Sequence, residues 1–178
     1  MPCAITAGYS IDCRESIAGI QTIWVTESAN LLDASGNSRI TESSGTVTAM
    51  TKATGKKFYK FEIPRGTAVA STNMTGSLEN GSVYFTHEVS FPINSRTATV
   101  RNIITTLAKN RLCFVTLEMD NVYRMYGKGY GLFMDSTENS SGTAPGDRNG
   151  AMLKFSSMET EDFLVVSAAV AANLEVAG

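Results

Sequence analysis

The one histidine of the chain, His87, is the side chain best suited by type to general acid–base work near neutral pH. Nucleophilic catalysis through it would need a serine or cysteine on one side and an orienting acid on the other. Glu88 stands next to it in sequence, but successive side chains of a strand project to opposite faces, so the two do not meet. Because His87 falls within the apolar stripe Val83, Phe85, Val89, Phe91, it is expected to be a satisfied core or interface histidine. The glycines of Tyr126-Gly127-Lys128-Gly129-Tyr130-Gly131 have the look of a phosphate-cradling loop. Their spacing is not Gly-x-x-x-x-Gly-Lys-Ser/Thr, and no helix follows to aim its free amides at an anion. A glycine-relieved β-bend is the expectation.

Asp147-Arg148-Asn149-Gly150 offers two acceptor side chains beside a turn glycine. It lacks the alternating acids and closing glutamate of a calcium loop, so it reads as the turn into a hairpin. Glu159, Glu161 and Asp162 follow a strand and are expected as its solvated end rather than as a carboxylate dyad. The three cysteines, Cys3, Cys13 and Cys113, are odd in number and lack zinc-knuckle spacing, which predicts reduced thiols and no structural metal. Nothing assembles a nucleophile, a base and an oxyanion site, so no catalytic, cofactor-binding or metal residue is assigned and a non-enzyme is expected.

The elements that carry these residues read as mostly β. Residues 20–26 are β-branched and aromatic, and residues 57–63 alternate until Pro64 removes a ladder donor. Short strands are expected around Arg39 and Val47 between turn clusters. The best β signal runs over 83–91, and Asn80-Gly81 just before it tolerates the positive φ of a tight primed turn, which pairs 70–78 with 83–91 as a hairpin. Val100, Ile103, Ile104 and Leu107 line one face of a helix over 97–109, with Ser95 or Thr97 as its cap. Residues 112–119 are apolar on both faces at their start and should form a central strand, hairpinned to 122–128 through Asp120-Asn121. Residues 136–150 read as a polar loop, 151–158 as a strand, and 163–174 as a terminal strand or docking segment. About eight strands and one helix result, an antiparallel β-sandwich or partly closed barrel with a flanking helix.

At 178 residues the chain fits one domain, 1–178, with an N-terminal arm over about 1–19 and a C-terminal extension over about 160–178. Charged residues make up 18%, below the usual quarter, as a surface covered by neighbouring subunits would have. A net charge of −2 and a pI near 5.4 argue against holding nucleic acid through its phosphates. A lumen through which DNA only passes is compatible with them. Neither a secretory leader nor a run of membrane-spanning length is legible, so synthesis in a cytosol and no membrane partner are expected.

Several stretches together resemble a phage tail-tube (major tail) protein family, in the versions found in phages and prophages of Bacteroidota-type bacteria. They are Cys3-Ala4-Ile5-Thr6 with Cys13-Arg14 and Gly19-Ile20, Leu78-Glu79-Asn80-Gly81, the helix over 97–109 leading into 112–118, and Gly146-Asp147-Arg148-Asn149-Gly150 before a strand ending at Met158-Glu159. Ala18 stands where such sequences often carry a second glycine, and the tail after Glu161 is unusually rich in Ala and Val. The resemblance implies six copies per ring and rings stacked into a hollow tube for genome passage. It also implies a place in the virion tail beside tape-measure, tail-terminator and baseplate proteins, with residues 28–56 and 136–149 reaching between rings. A head–tail joining or capsid decoration protein is the alternative within the same class. A carbohydrate-binding β-sandwich is the alternative from another class, with Tyr123, Tyr126 and Tyr130 as its only aromatic candidates.

Overall fold

A computed structural model describes residues 17–77 and 79–178. Eleven strands form two sheets. The larger is seven-stranded, in the order β2 (Ile40–Ser43), β3 (Thr46–Met50), β11 (Leu164–Val166), β8 (Tyr123–Tyr126), β7 (Leu112–Glu118), β1 (Ile20–Glu27), β4 (Tyr59–Glu62). The smaller is four-stranded, in the order β5 (Val69–Ser77), β6 (Ser82–Ile93), β10 (Gly150–Glu159), β9 (Phe133–Ser140). All pairings are antiparallel except β11 on β3. Neither sheet closes into a barrel, so the fold is a β-sandwich with one main flanking helix, α1 (Ala98–Lys109).

Two apolar cores share the seven-stranded sheet, one on each face. Between the sheets, Ile23, Val25 and Phe114 meet Val89, Phe91, Leu153 and Phe155, and Phe114 lies 4.9 Å from Phe155 between ring centroids. On the opposite face Trp24, Cys113, Val115 and Met125 pack with Val47, Phe58, Val166 and Leu174. Strand β7 is therefore buried on both sides, as its uninterrupted apolar start requires.

Helix α1 begins where expected: Thr97 Oγ1 accepts the Val100 N–H at 3.3 Å. Strand β6 runs to Ile93, two residues beyond the end expected at 91. The pairing of β5 with β6 stops at Ser90, so one side of Pro92 has no ladder that its missing N–H could break.

One segment differs from the expectations, and two others carry more of the core than their sequence indicates. The first third of the polar loop read over 136–150 is strand: β9 pairs with β10 from Phe133 to Ser140. Nearly all of β9 is exposed, so its side chains show no apolar alternation to read. Within 28–56, the short strands expected around Arg39 and Val47 are the hairpin β2–β3, and together with a 3-10 turn at Ser28–Leu31 they contribute Leu31, Ile40 and Val47 to the second core. The C-terminal segment is part of the body rather than an extension. Strand β11 and a short helix α2 (Ala168–Ala171) bury Leu164, Val166, Val170 and Leu174. Lys52 fixes this end of the chain by donating from Nζ to the carbonyls of Asn173, Leu174 and Val176. The expected N-terminal arm falls largely outside the described residues.

Candidate functional site

Among the described residues, those weighed for chemistry occupy definite structural roles. His87 is 2% exposed on β6, where its Nε2 donates to the Glu161 carbonyl at 3.0 Å and its Nδ1 accepts the Gly127 N–H at 3.3 Å. Those two bonds describe a neutral ring with both nitrogens engaged, leaving neither to take a proton from a substrate. Burial holds its pKa below the usual value, against the raising influence of the Glu159 charge, the Glu161 hydrogen bond and the Asp162 charge. Cys113 is buried on β7, and burial pushes its thiol far up, out of the reactive thiolate range. Cys3 and Cys13 lie outside the described residues. Among the described residues no group of three His, Cys, Asp or Glu side chains is placed to hold a metal.

Glu159 corrects the expectation of a solvated strand end, being only 4% exposed. Its carboxylate accepts the Gly129 N–H at 3.1 Å, the Tyr130 N–H at 3.0 Å, the Gly131 N–H at 3.2 Å and the Ser157 hydroxyl at 3.1 Å. The glycine loop does cradle an anion, but the anion is the protein's own. Three consecutive amides converge on one point, which makes the loop a backbone nest. Gly127 and Gly131 take positive φ, 77° and 74°, and a Cβ on Gly129 would meet Glu159 Oε2. A signal was present in the sequence: an acid two residues beyond Ser157 at the end of a strand, facing a Gly-x-Gly-x-Gly loop. What it lacked was the pairing that brings residue 159 beside residue 130.

The remaining candidates separate. Asp147 is a turn residue, as expected: its carboxylate accepts the Thr143 and Ala144 N–H groups at 2.8 Å each, and these bonds hold its pKa below the usual range. Glu161 is on the surface, paired with Lys128 at 3.2 Å, while Lys128 also reaches Glu42 of β2 at 2.7 Å. The tyrosines do not form a sugar-binding platform. Tyr126 is 3% exposed and donates to Glu118, Tyr123 packs in the second core, and only Tyr130 is open to solvent. Sequence reasoning missed a further cluster, Arg124 with Glu118 at 2.8 Å and Asp120 at 2.7 Å, which ties together the β7–β8 hairpin.

What the fold leaves open is its edges. Strands β2, β4, β5 and β9 each have one pairing partner among the described residues. Edge strands are usually blunted by charge, proline or a bulge. Strand β4 carries Lys60 and Glu62, β2 has a register shift and Glu42, and β9 has Asp135 and Glu138. Strand β5 has none of these devices. Its nine residues, Val-Ala-Ser-Thr-Asn-Met-Thr-Gly-Ser, hold no charge and no proline, pair with β6 without a shift, and expose Val69 and Met74.

A second open surface lies at the end of the sandwich. Helix α1 covers the core through Leu107 and, in part, Ile104, leaving Val100 and Ile103 partly uncovered beside β4. Between helix and strand is a cavity of about 950 Å³, lined by Tyr59, Phe61, Ile63, Phe91, Val100 and Ile103 among others. Comparison with known proteins returns no matching family model, no matching curated protein and no matching solved structure.

Proposed function

We propose that this protein is a structural subunit that works by assembling with copies of itself, in rings stacked as the hollow tail tube of a phage. The observation that carries this reading is β5, a long, uncharged, unbulged edge strand with exposed Val69 and Met74. In a protein that stays monomeric such an edge is an aggregation liability, whereas in a subunit it is the surface on which a neighbouring strand adds. The side chains able to do chemistry support the same reading, since His87, Glu159 and Cys113 are each buried and committed to internal contacts. In this role the sandwiches join edge to edge into a wall, DNA passes through the lumen without specific binding, and tape-measure, terminator and baseplate proteins meet the ends of the tube.

Light scattering across a concentration series tests the edge. Thr75 is an exposed residue of β5, and Thr75→Lys places a charge on that strand without touching the core. The wild-type protein is expected to form large species at concentrations where Thr75→Lys stays small. Equal association of the two would contradict the role given to β5.

A further inference from the structure

The hairpin β5–β6 outruns the sheet it belongs to. Pairing between β6 and β10 ends at Phe85 opposite Glu159, so Ser82 to Tyr84 of β6 pair only with β5. In the antiparallel register Met74 lies opposite Phe85 and Gly76 opposite Val83, which puts Met74 and Val83 on the same face as Phe85, His87, Val89 and Phe91. The core-facing stripe therefore continues past the end of the core. Met74 and Val83 occupy it at 66% and 59% exposure. An isolated two-stranded ribbon is marginal in water, and among the described residues this one presents an apolar inner face with nothing beneath it.

A second uncovered apolar face lies at the other end of the same molecule, the groove between α1 and β4. Val83 and Pro92, which lines that groove, are nine residues apart on one strand, about 30 Å at roughly 3.3 Å per residue. The hairpin tip cannot fold back into its own groove. The two faces also differ in charge. Segments 54–68 and 91–112, from which most of the groove comes, hold eight of the fifteen Lys and Arg residues and one of the seventeen acids, and the lining itself carries Lys56 and Lys60 with Glu27 and Glu62. Segment 67–95, which forms the hairpin, holds Glu79 and Glu88 and no Lys or Arg.

We propose that the apolar inner face of the β5–β6 hairpin tip of one copy seats in the α1–β4 groove of the next, a head-to-tail contact between copies of this chain. This rests on the reading of the protein as a self-assembling subunit and names the surfaces that join. Met74 and Val83 pack against Val100, Ile103 and Tyr59, while Glu79 meets the basic frame of the groove. Because the joined surfaces differ, the contact propagates into a ring or a filament rather than stopping at a symmetric pair.

The test uses two full-length variants, Met74→Asp/Val83→Asp for the hairpin and Ile103→Asp for the groove, each checked for wild-type circular dichroism. Should an aspartate unfold the chain, Val83→Ser and Ile103→Ser carry the same readout. Each variant alone is expected to need at least tenfold more protein than wild type to associate by light scattering. Mixed in equal amounts, they are expected to pair, since the groove of the hairpin variant and the hairpin of the groove variant are both intact. If the variants associate as wild type does, or if mixing restores nothing, this docking is overturned while self-assembly through other surfaces stands. A wild-type protein that stays monomeric throughout overturns both.

Discussion

Replacing Glu159 by glutamine tests the backbone nest formed by Gly129, Tyr130 and Gly131. The change keeps shape and volume but exchanges one carboxylate oxygen for an NH2 group. In wild type, Oε1 accepts from Tyr130, Gly131 and Ser157, and Oε2 accepts from Gly129 and Tyr130. Whichever way the amide turns, one side of it presents a donor to the backbone N–H groups gathered around a side chain that is only 4% exposed. A hydrogen bond to a charged group contributes roughly 1.5–3 kcal/mol, and an unsatisfied buried donor costs roughly 1–3 kcal/mol. Losing the charge on one side and the acceptor on the other should cost about 3–5 kcal/mol. For a chain of this size each kcal/mol moves Tm by roughly 2–4 °C, so Glu159→Gln should melt about 6–20 °C lower. Urea unfolding gives the free energy, and amide exchange at Gly129, Tyr130 and Gly131 locates it. A variant within about 1 kcal/mol of wild type, with those three amides still protected, would refute the reasoning.

Three further outcomes follow from the same geometry. Gly127→Ala forces a side chain into positive φ and drives its Cβ into Leu132, so a loss of about 2–4 kcal/mol is expected by denaturant titration. Lys52→Met keeps the apolar stem and removes the donor to three carbonyls, so a loss of about 2 kcal/mol is expected, with faster amide exchange at Leu174 and Gly178. Burial sets the His87 pKa below its unfolded value near 6.5, so the folded chain binds fewer protons than the unfolded one between those two pKa values. Stability from this group is present in full above about pH 6.5 and falls as pH drops toward the folded pKa, by up to about 1.4 kcal/mol per pH unit. His87→Asn should flatten that part of the stability profile, and an unchanged slope would show that other groups set it.

Much of the sandwich is legible wherever one face of an element is buried. Strand β6 and its neighbour β5, the doubly covered β7, and the helix with its Thr97 cap all follow from alternation or helical spacing. Strand β9 is not legible because nearly all of its side chains meet solvent and its existence depends on β10, which periodicity does not encode. Residues 163–174 are ambiguous for the opposite reason. Their apolar residues fit a strand or a docking segment equally well, and only the parallel pairing of β11 with β3 and the clamp from Lys52 decide between them. The His87 assignment follows from local pattern alone, since a histidine in an apolar stripe must have its nitrogens satisfied. Glu159 escapes local pattern, because its partners lie about thirty residues away in sequence.

The central claim, that this chain works by joining copies of itself, is tested most directly by negative-stain electron microscopy of the purified protein at increasing concentration. Rings or hollow tubes with a regular axial repeat are expected, lost in the hairpin and groove variants. Single particles of one chain at every concentration, in wild type as in the variants, would contradict it.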